Sequence, residues 1–172
     1  MDEVAAVPLH IAILTVSDTR DAATDTSGAL LADRIEAAGH VLVDRAIVPD
    51  DVDMIRVAVG PWIDDPAVDI ILTTGGTGFS DRDVTPEAIR PLFRREMDGF
   101  SVVFHQASLG TVGVATLQSR AFAGQTENGT FIFCLPGSTG ACRDAWDLVL
   151  GKEFDSRTKP CSIVIHIPRL RK

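Results

Sequence analysis

Three apolar runs, Leu9 to Val16, Val41 to Val48 and Val68 to Thr74, alternate along the first half of the chain with segments whose apolar residues recur at helical spacing. In the first helical segment Leu31, Ile35 and Ala38 share a face before Gly39, and in the second Val52, Ile55, Val59, Trp62 and Ile63 do so after the turn Pro49-Asp50-Asp51. Continuous apolar runs suit strands buried on both faces, and strand–helix alternation predicts a parallel sheet covered by helices with right-handed crossovers. In such a sheet ligands gather beyond the carboxyl ends of the strands.

The third strand leads into the densest glycine cluster of the chain, Thr73-Thr74-Gly75-Gly76-Thr77-Gly78, followed by Phe79-Ser80-Asp81-Arg82-Asp83 and a helix start at Thr85-Pro86-Glu87. Glycines at such a turn let the backbone reach positive φ and aim successive amides into one small cavity, which suits phosphate oxygens. Asp81 and Asp83 would repel bare phosphate, so their nearness points to a divalent cation held between carboxylate and nucleotide phosphate. Two other phosphate turns are excluded. A P-loop needs Lys after its last glycine, whereas Phe79 follows Gly78 and the only lysines are Lys152, Lys159 and Lys172. A dinucleotide fingerprint needs a third glycine where Asp81 stands. Thr85 reads as the N-cap of the next helix with Pro86 at its first position, which leaves Asp83 free; Asp50, just ahead of a helix, stands where a cap is favoured.

Further along, helices are expected over Pro86 to Phe93 and Gly99 to Leu109. Ala121 to Gly124 and Thr130 to Leu135 read as strands around Glu127-Asn128-Gly129, an antiparallel hairpin on an otherwise parallel sheet. The second of these strands runs into Leu135-Pro136-Gly137-Ser138-Thr139-Gly140 and a helix over Ala141 to Leu150. Two strand–glycine–helix turns suggest a ligand, or a ligand pair, with phosphates at both ends.

The length of 172 residues fits one domain, which buries roughly two thirds of its unfolded surface. The ends, 1–8 and 168–172, are expected to be flexible. A net charge of −8 argues against nucleic acid or anionic lipid as a partner. The start Met1-Asp2-Glu3-Val4 is acidic where a secretory signal is basic, and no apolar run approaches a membrane span, so a cytoplasmic protein is expected. Cys134, Cys142 and Cys161 match no zinc or redox spacing and read as structural thiols; the four histidines form no metal motif.

Taken together, Thr73 to Gly78, Asp83-Val84-Thr85-Pro86-Glu87-Ala88, Ser119-Arg120 and Leu135-Pro136-Gly137-Ser138 resemble the MoaB/Mog family of molybdenum cofactor biosynthesis proteins. Thr15-Val16-Ser17-Asp18, Asp25-Thr26-Ser27-Gly28, Val48-Pro49-Asp50 and Arg95 to Phe100 extend the resemblance over nearly the whole chain. It implies a doubly wound, three-layer α/β sandwich and an adenylyl transfer, in which the terminal phosphate of molybdopterin attacks Mg-ATP and releases pyrophosphate. Asp50 and Asp83 then correspond to the family's essential acids and would organise Mg²⁺. Ser17, Asp18, Gly75, Gly76, Thr77 and Gly78 would face the nucleotide, and Ser119, Arg120, Gly137, Ser138, Thr139 and Gly140 the molybdopterin. The resemblance also implies a homo-oligomer, trimer or hexamer, with the segment Phe100 to Leu109 toward another subunit, and contact with other molybdenum cofactor biosynthesis proteins. The Gly-Ser-Thr-Gly-Ala-Cys version of the second turn is closer to the MoaB branch, some of whose members lack the acid at Asp83. Two alternatives use the same residues: a non-catalytic molybdopterin carrier, and a flavodoxin-like module holding FMN. The second finds 6% aromatic residues, no Tyr and no aromatic stack at either turn.

Overall fold

The computed structural model describes residues 5–171; the acidic start Met1-Asp2-Glu3-Val4 and Lys172 lie outside them. Six strands form one mixed sheet: β1 (His10–Val16), β2 (Val41–Val48), β3 (Ile70–Thr74), β4 (Phe93–Glu96), β5 (Phe122–Thr126) and β6 (Phe131–Leu135). The spatial order is β2-β1-β3-β6-β5-β4. Strands β2, β1, β3 and β6 run parallel, while β5 and β4 are antiparallel additions at one edge. The expected α/β sandwich with an antiparallel hairpin is the fold observed.

The central strands are apolar throughout because successive side chains enter two different cores. On one face Ile11, Ile13, Ile70, Leu72, Phe131 and Phe133 meet α1 (Thr26–Ala37), α4 (Asp98–Val112) and α5 (Thr139–Ala145). On the other Ala12, Leu14, Ile71, Ile132 and Cys134 meet α2 (Val52–Asp64) and α3 (Thr85–Ile89). Helix α1 buries Leu31 and Ile35 but leaves Ala38 exposed as its C-cap, so the apolar face ends one turn earlier than expected. Cys134 and Cys142 are buried and Cys161 is exposed; all three are free thiols.

Three elements depart from the sequence expectation. The helix expected through Phe93 stops at Ile89 and tightens into a 3₁₀ turn over Arg90–Leu92, because Pro91 supplies no N–H and disfavours helical backbone before it. Phe93–Glu96 then becomes the edge strand β4, held to Arg90 by the Arg90–Glu96 ion pair at 2.8 Å. Its two central arginines hid the strand, since alternation of apolar residues is the usual signal. Next, α5 runs on through a π-helical turn at Trp146–Leu150 and Gly151–Glu153, so that helical backbone covers 139–153.

Helix α4 is also longer than expected and continues into 3₁₀ turns over Gly113–Gln118. The combined stretch Asp98–Gln118 has 21 residues, with a mean hydropathy of 1.3 over an 18-residue window, so by length and composition it reaches what a membrane crossing needs, which no apolar run was expected to approach. Phe100, Phe104 and Ser108 face the core, while Val102, Val112, Val114 and Leu117 are exposed. Arg169 pairs with buried Asp69 at 2.7 Å and donates to the Pro8 carbonyl at 3.2 Å, and Ser156 Oγ accepts from the Val7 amide at 2.9 Å.

Candidate functional site

A cavity of about 430 Å³ opens beyond the carboxyl ends of β1, β3 and β6. It lies where the chain, having placed β2 on one side of β1, crosses to place β3 on the other, the switch point at which open α/β sheets form crevices. Both glycine turns reach it. Gly75 to Gly78 form one wall, Pro136 and Gly137 another, and Ser17, Asp50, Asp83 and Ser119 come from the flanking loops.

The first turn owes its shape to left-handed backbone at Gly75 (φ 104°) and Gly76 (φ 66°). Its carbonyls all point into protein. Thr85 Oγ1 donates to the Gly75 carbonyl at 2.8 Å and the Thr85 amide to that of Gly76 at 3.0 Å. The Arg120 amide reaches the Thr77 carbonyl at 2.7 Å, and Arg120 Nε that of Gly78 at 2.7 Å. On the amide side, Gly75 N–H is spent on the Leu135 carbonyl at 3.0 Å. The amides of Gly76 and Thr77 donate to no protein acceptor among the described residues. Turning carbonyls outward leaves donors for an anion, which is what an amide nest requires.

The two acids in the cavity differ. Asp83 Oδ2 accepts from the Ser80 amide at 2.8 Å. Burial works to raise its pKa, but hydrogen bonds from Ser80 and the Gly78 amide, with the charge of Arg120, outweigh it and hold the group below the ordinary carboxylate value. Asp50 is half-buried, and burial, then the like charges of Asp18 and Asp83, raise its pKa against the charge of Arg82 and a hydrogen bond from the Asp18 amide. A half-buried carboxylate whose pKa is raised by neighbouring like charges is a position that a cation would relieve. No group of three or more His, Cys, Asp or Glu converges as a metal cage among the described residues, so any metal here would rely on these two acids and on ligand oxygens.

Capping does not explain either acid. Asp51, not Asp50, caps α2 by accepting from Met54 N–H at 2.9 Å. Helix α3 begins after Val84 with no side-chain cap at all, and Thr85 binds the Gly75 carbonyl instead of capping, which corrects the role expected for it. Asp18 lies outside the cavity lining. It is bridged to Arg82 at 2.8 Å and accepts the Asp50 amide at 3.0 Å, so it orients Asp50 and adds to its charge burden. Ser17 lines the cavity, its Oγ accepting from the amides of Thr19 and Arg20 at 3.2 Å each.

The second turn has no residue at positive φ. The Pro136 carbonyl accepts from Thr74 Oγ1 at 2.9 Å and the Gly137 carbonyl from Ser27 Oγ at 2.8 Å. A Cβ on Gly137 would lie 3.3 Å from Gly75 Cα, so the two turns touch through their backbones. Ser138 caps α5 by accepting from Ala141 N–H at 3.2 Å, and Thr139 Oγ1 is 2.8 Å from Thr26 Oγ1. Ser138, Thr139 and Gly140 lie outside the cavity lining, while Gly137 and Ser119 line it. Arg120 belongs to the other turn. Besides Gly78 it holds the Asp83 carbonyl at 2.6 Å and Glu87 at 2.5 Å.

Three features escaped sequence reasoning. Arg20 lines the cavity but in the sequence is one polar residue in a loop. Phe79, next in the chain to cavity-lining Gly78, is 74% exposed, with the Arg120 guanidinium 5.5 Å from its ring centre, although its letter served only to exclude a P-loop. Beneath the floor, buried Asp25 caps α1 and binds Arg45 at 2.8 Å and Thr15 Oγ1 at 2.7 Å, tying β1 and β2 to the helix entry.

Residues 12–155 match a family described as "Probable molybdopterin binding domain". The chain is 47% identical over 163 residues to molybdenum cofactor biosynthesis protein B of Escherichia coli (strain K12), covering 95% of each chain. Among solved structures it is similar to the tungsten cofactor synthesizing protein MoaB from Pyrococcus furiosus (TM-score 0.77, 33% identity, 87% of this chain and 95% of that one). It is also similar to the molybdopterin biosynthesis Mog protein from Mycobacterium ulcerans (TM-score 0.69, 29% identity, 84% and 92%).

Proposed function

The chain belongs to the molybdopterin-binding MoaB/Mog family of molybdenum cofactor biosynthesis proteins, and from that premise we propose that it adenylylates molybdopterin with Mg-ATP in the cytosol. The observation that carries this reading is the contact of two glycine turns at one cavity, one turn edged by carboxylates and the other by hydroxyls. A substrate pair with a phosphate at each turn would meet across a partition one backbone thick.

In the proposed reaction a phosphate oxygen of molybdopterin forms a bond to the α-phosphorus of ATP while the bond from that phosphorus to the β-bridging oxygen breaks, its electron pair leaving with pyrophosphate. The nucleophile is already an anion, so no general base is needed, in keeping with a cavity that no histidine or cysteine lines. What remains is positioning and charge neutralisation. The Gly76 and Thr77 amides would hold nucleotide phosphate oxygens. Asp83, kept ionised by Ser80 and Gly78, and Asp50, held in place by Asp18, would carry Mg²⁺. When bound there, the ion supplies positive charge to crowded phosphate oxygens in line with attack. Arg120 keeps the acid and the turn in register by gripping the carbonyls of both Gly78 and Asp83.

Incubation of the purified protein with molybdopterin, ATP and Mg²⁺ tests the assignment: an AMP–molybdopterin conjugate and equimolar pyrophosphate are expected, both abolished by chelation of the metal. Tight pterin binding with no conjugate would make the protein a carrier. The exposed residues of α4 and its extension, Val102, Val112, Val114 and Leu117, support assembly into a homo-oligomer, which sedimentation of the purified chain would reveal.

A further inference from the structure

Of the charged side chains that line the cavity, Asp50 and Asp83 are anionic and only Arg20 is cationic. The other arginines near the site are neutralised by carboxylates: Arg82 by Asp18, Arg120 by Glu87 and Arg45 by Asp25. Arg20 has no carboxylate partner among the described residues. Its guanidinium is nevertheless fixed, because Nη1 donates to the Thr24 carbonyl at 2.8 Å and to Thr26 Oγ1 at 3.1 Å. Nε and Nη2 donate to no protein acceptor among the described residues, which leaves part of the planar donor fork available.

The anchoring places Arg20 with the second turn. Thr26 Oγ1 is hydrogen-bonded to Thr139 Oγ1, and neighbouring Ser27 holds the Gly137 carbonyl. Electrostatics agree. The cations that act on Asp50 and Asp83 are Arg82 and Arg120 respectively, whereas the charge of Arg20 is felt at Cys142 in α5, against the burial that pushes this thiol up to about 11. At the first turn an anion would meet carboxylates and need a metal. At the second it would meet an uncompensated guanidinium.

We propose that Arg20 is the residue that binds the phosphomonoester of the pterin substrate, holding the attacking phosphate at the second glycine turn. The assignment deepens the function proposed above and rests on its identification of molybdopterin as ligand. A preordered fork selects a tetrahedral dianion over the uncharged alcohol, so the residue sets the preference for phosphorylated pterin as well as the orientation of the nucleophile.

Equilibrium binding of molybdopterin, of the same pterin lacking its phosphate, and of ATP to the wild-type chain, Arg20→Gln and Arg20→Lys tests this. The wild type is expected to prefer the phosphorylated pterin by roughly ten- to a hundredfold. In Arg20→Gln that preference collapses to near unity at unchanged ATP affinity, and Arg20→Lys recovers it in part. Circular dichroism checks that each variant folds. Retention of the wild-type preference in Arg20→Gln would overturn the proposal, as would a loss confined to ATP, which would place the guanidinium on the nucleotide. A wild-type chain that discriminates between the pterins yet forms no AMP conjugate would remove adenylyl transfer and leave the role of Arg20 standing.

Discussion

The two glycine turns begin alike, each leaving a parallel strand beside the other, and yet they are built on different principles. At Gly75 and Gly76 the backbone itself is unusual, with φ of 104° and 66°, and its carbonyls are gripped by Thr85 and Arg120. At Gly137 the backbone is ordinary, and a Cβ there would press on the other turn, 3.3 Å away. The first turn is bordered by Asp50 and Asp83 and the second by Ser27, Thr74, Thr139 and Arg20. What surrounding loops bring to a glycine turn, more than the glycines themselves, decides whether it suits a metal-bound or a bare anion.

Removing a charge from the acidic turn tests that contrast most severely. In Asp83→Asn, adenylylation is expected to fall by about 10²- to 10³-fold, the size of losing one anchor for transition-state charge, while pterin binding at the other turn persists. Full turnover in single-turnover assays of this variant would erase the distinction between the turns. Next in size is backbone strain. Gly76→Ala forces a side chain into left-handed backbone against Thr85 Oγ1 and should cost about 2 to 3 kcal/mol in urea unfolding. Gly140→Ala, in the first turn of α5 with nothing within 4 Å, should instead be neutral or gain about 0.5 kcal/mol. Equal costs at the two positions would refute the difference in principle. Arg120→Ala strips donors from the carbonyls of Gly78 and Asp83 and should lower stability by about 1 to 3 kcal/mol and weaken ATP, but not pterin, in titration calorimetry.

The gentlest test is pH. Because the folded-state pKa of Asp50 is raised, by burial first and then by Asp18 and Asp83, its ionisation opposes folding. Its stabilising contribution is complete below the ordinary carboxylate value of 3.8 and is lost as pH rises through the elevated one. Asp50→Asn should therefore melt higher than wild type at neutral pH, with the gain vanishing in acid. Asp25 behaves oppositely. Burial opposes its ionisation, but Arg45, Gly28 N–H and Thr15 outweigh this and lower its pKa, so its contribution is present above 3.8 and disappears as pH falls through the depressed value. Thermal melts of Asp25→Asn should lose stability at neutral pH and converge with wild type in acid.

Much of this molecule was legible from its letters, for reasons that can be located. Apolar runs exposed β1, β3 and β6 because both faces of these strands are buried, the apolar residues of Val41–Val48 exposed β2 although this edge strand is largely open to solvent, and Asn128-Gly129 announced the hairpin. Strand β4 was not legible, since Phe-Arg-Arg-Glu carries no alternation that burial would impose, and its pairing is set by β5 across a break in register. At the site, the letters placed glycines and acids in the right order but could not assign hydroxyls. Thr85 looked like a cap and binds a carbonyl ten residues back, and Arg120 looked like a pterin contact and clamps the opposite turn. Such roles depend on which loop lies alongside, information that spacing along the chain does not contain. Arg20 is the same case in reverse, an ordinary loop arginine until Thr24 and Thr26 point it at the cavity.

The touching of Gly75 and Gly137 has a consequence for how such a pocket can change over generations. With no methyl group on Gly137 the two backbones lie in contact, and a Cβ there, 3.3 Å from Gly75 Cα, would require the turns to give by a few tenths of an ångström. Reach between reactants is thus written in missing atoms, and a descendant that filled that gap could keep both of its guests while losing the ability to join them.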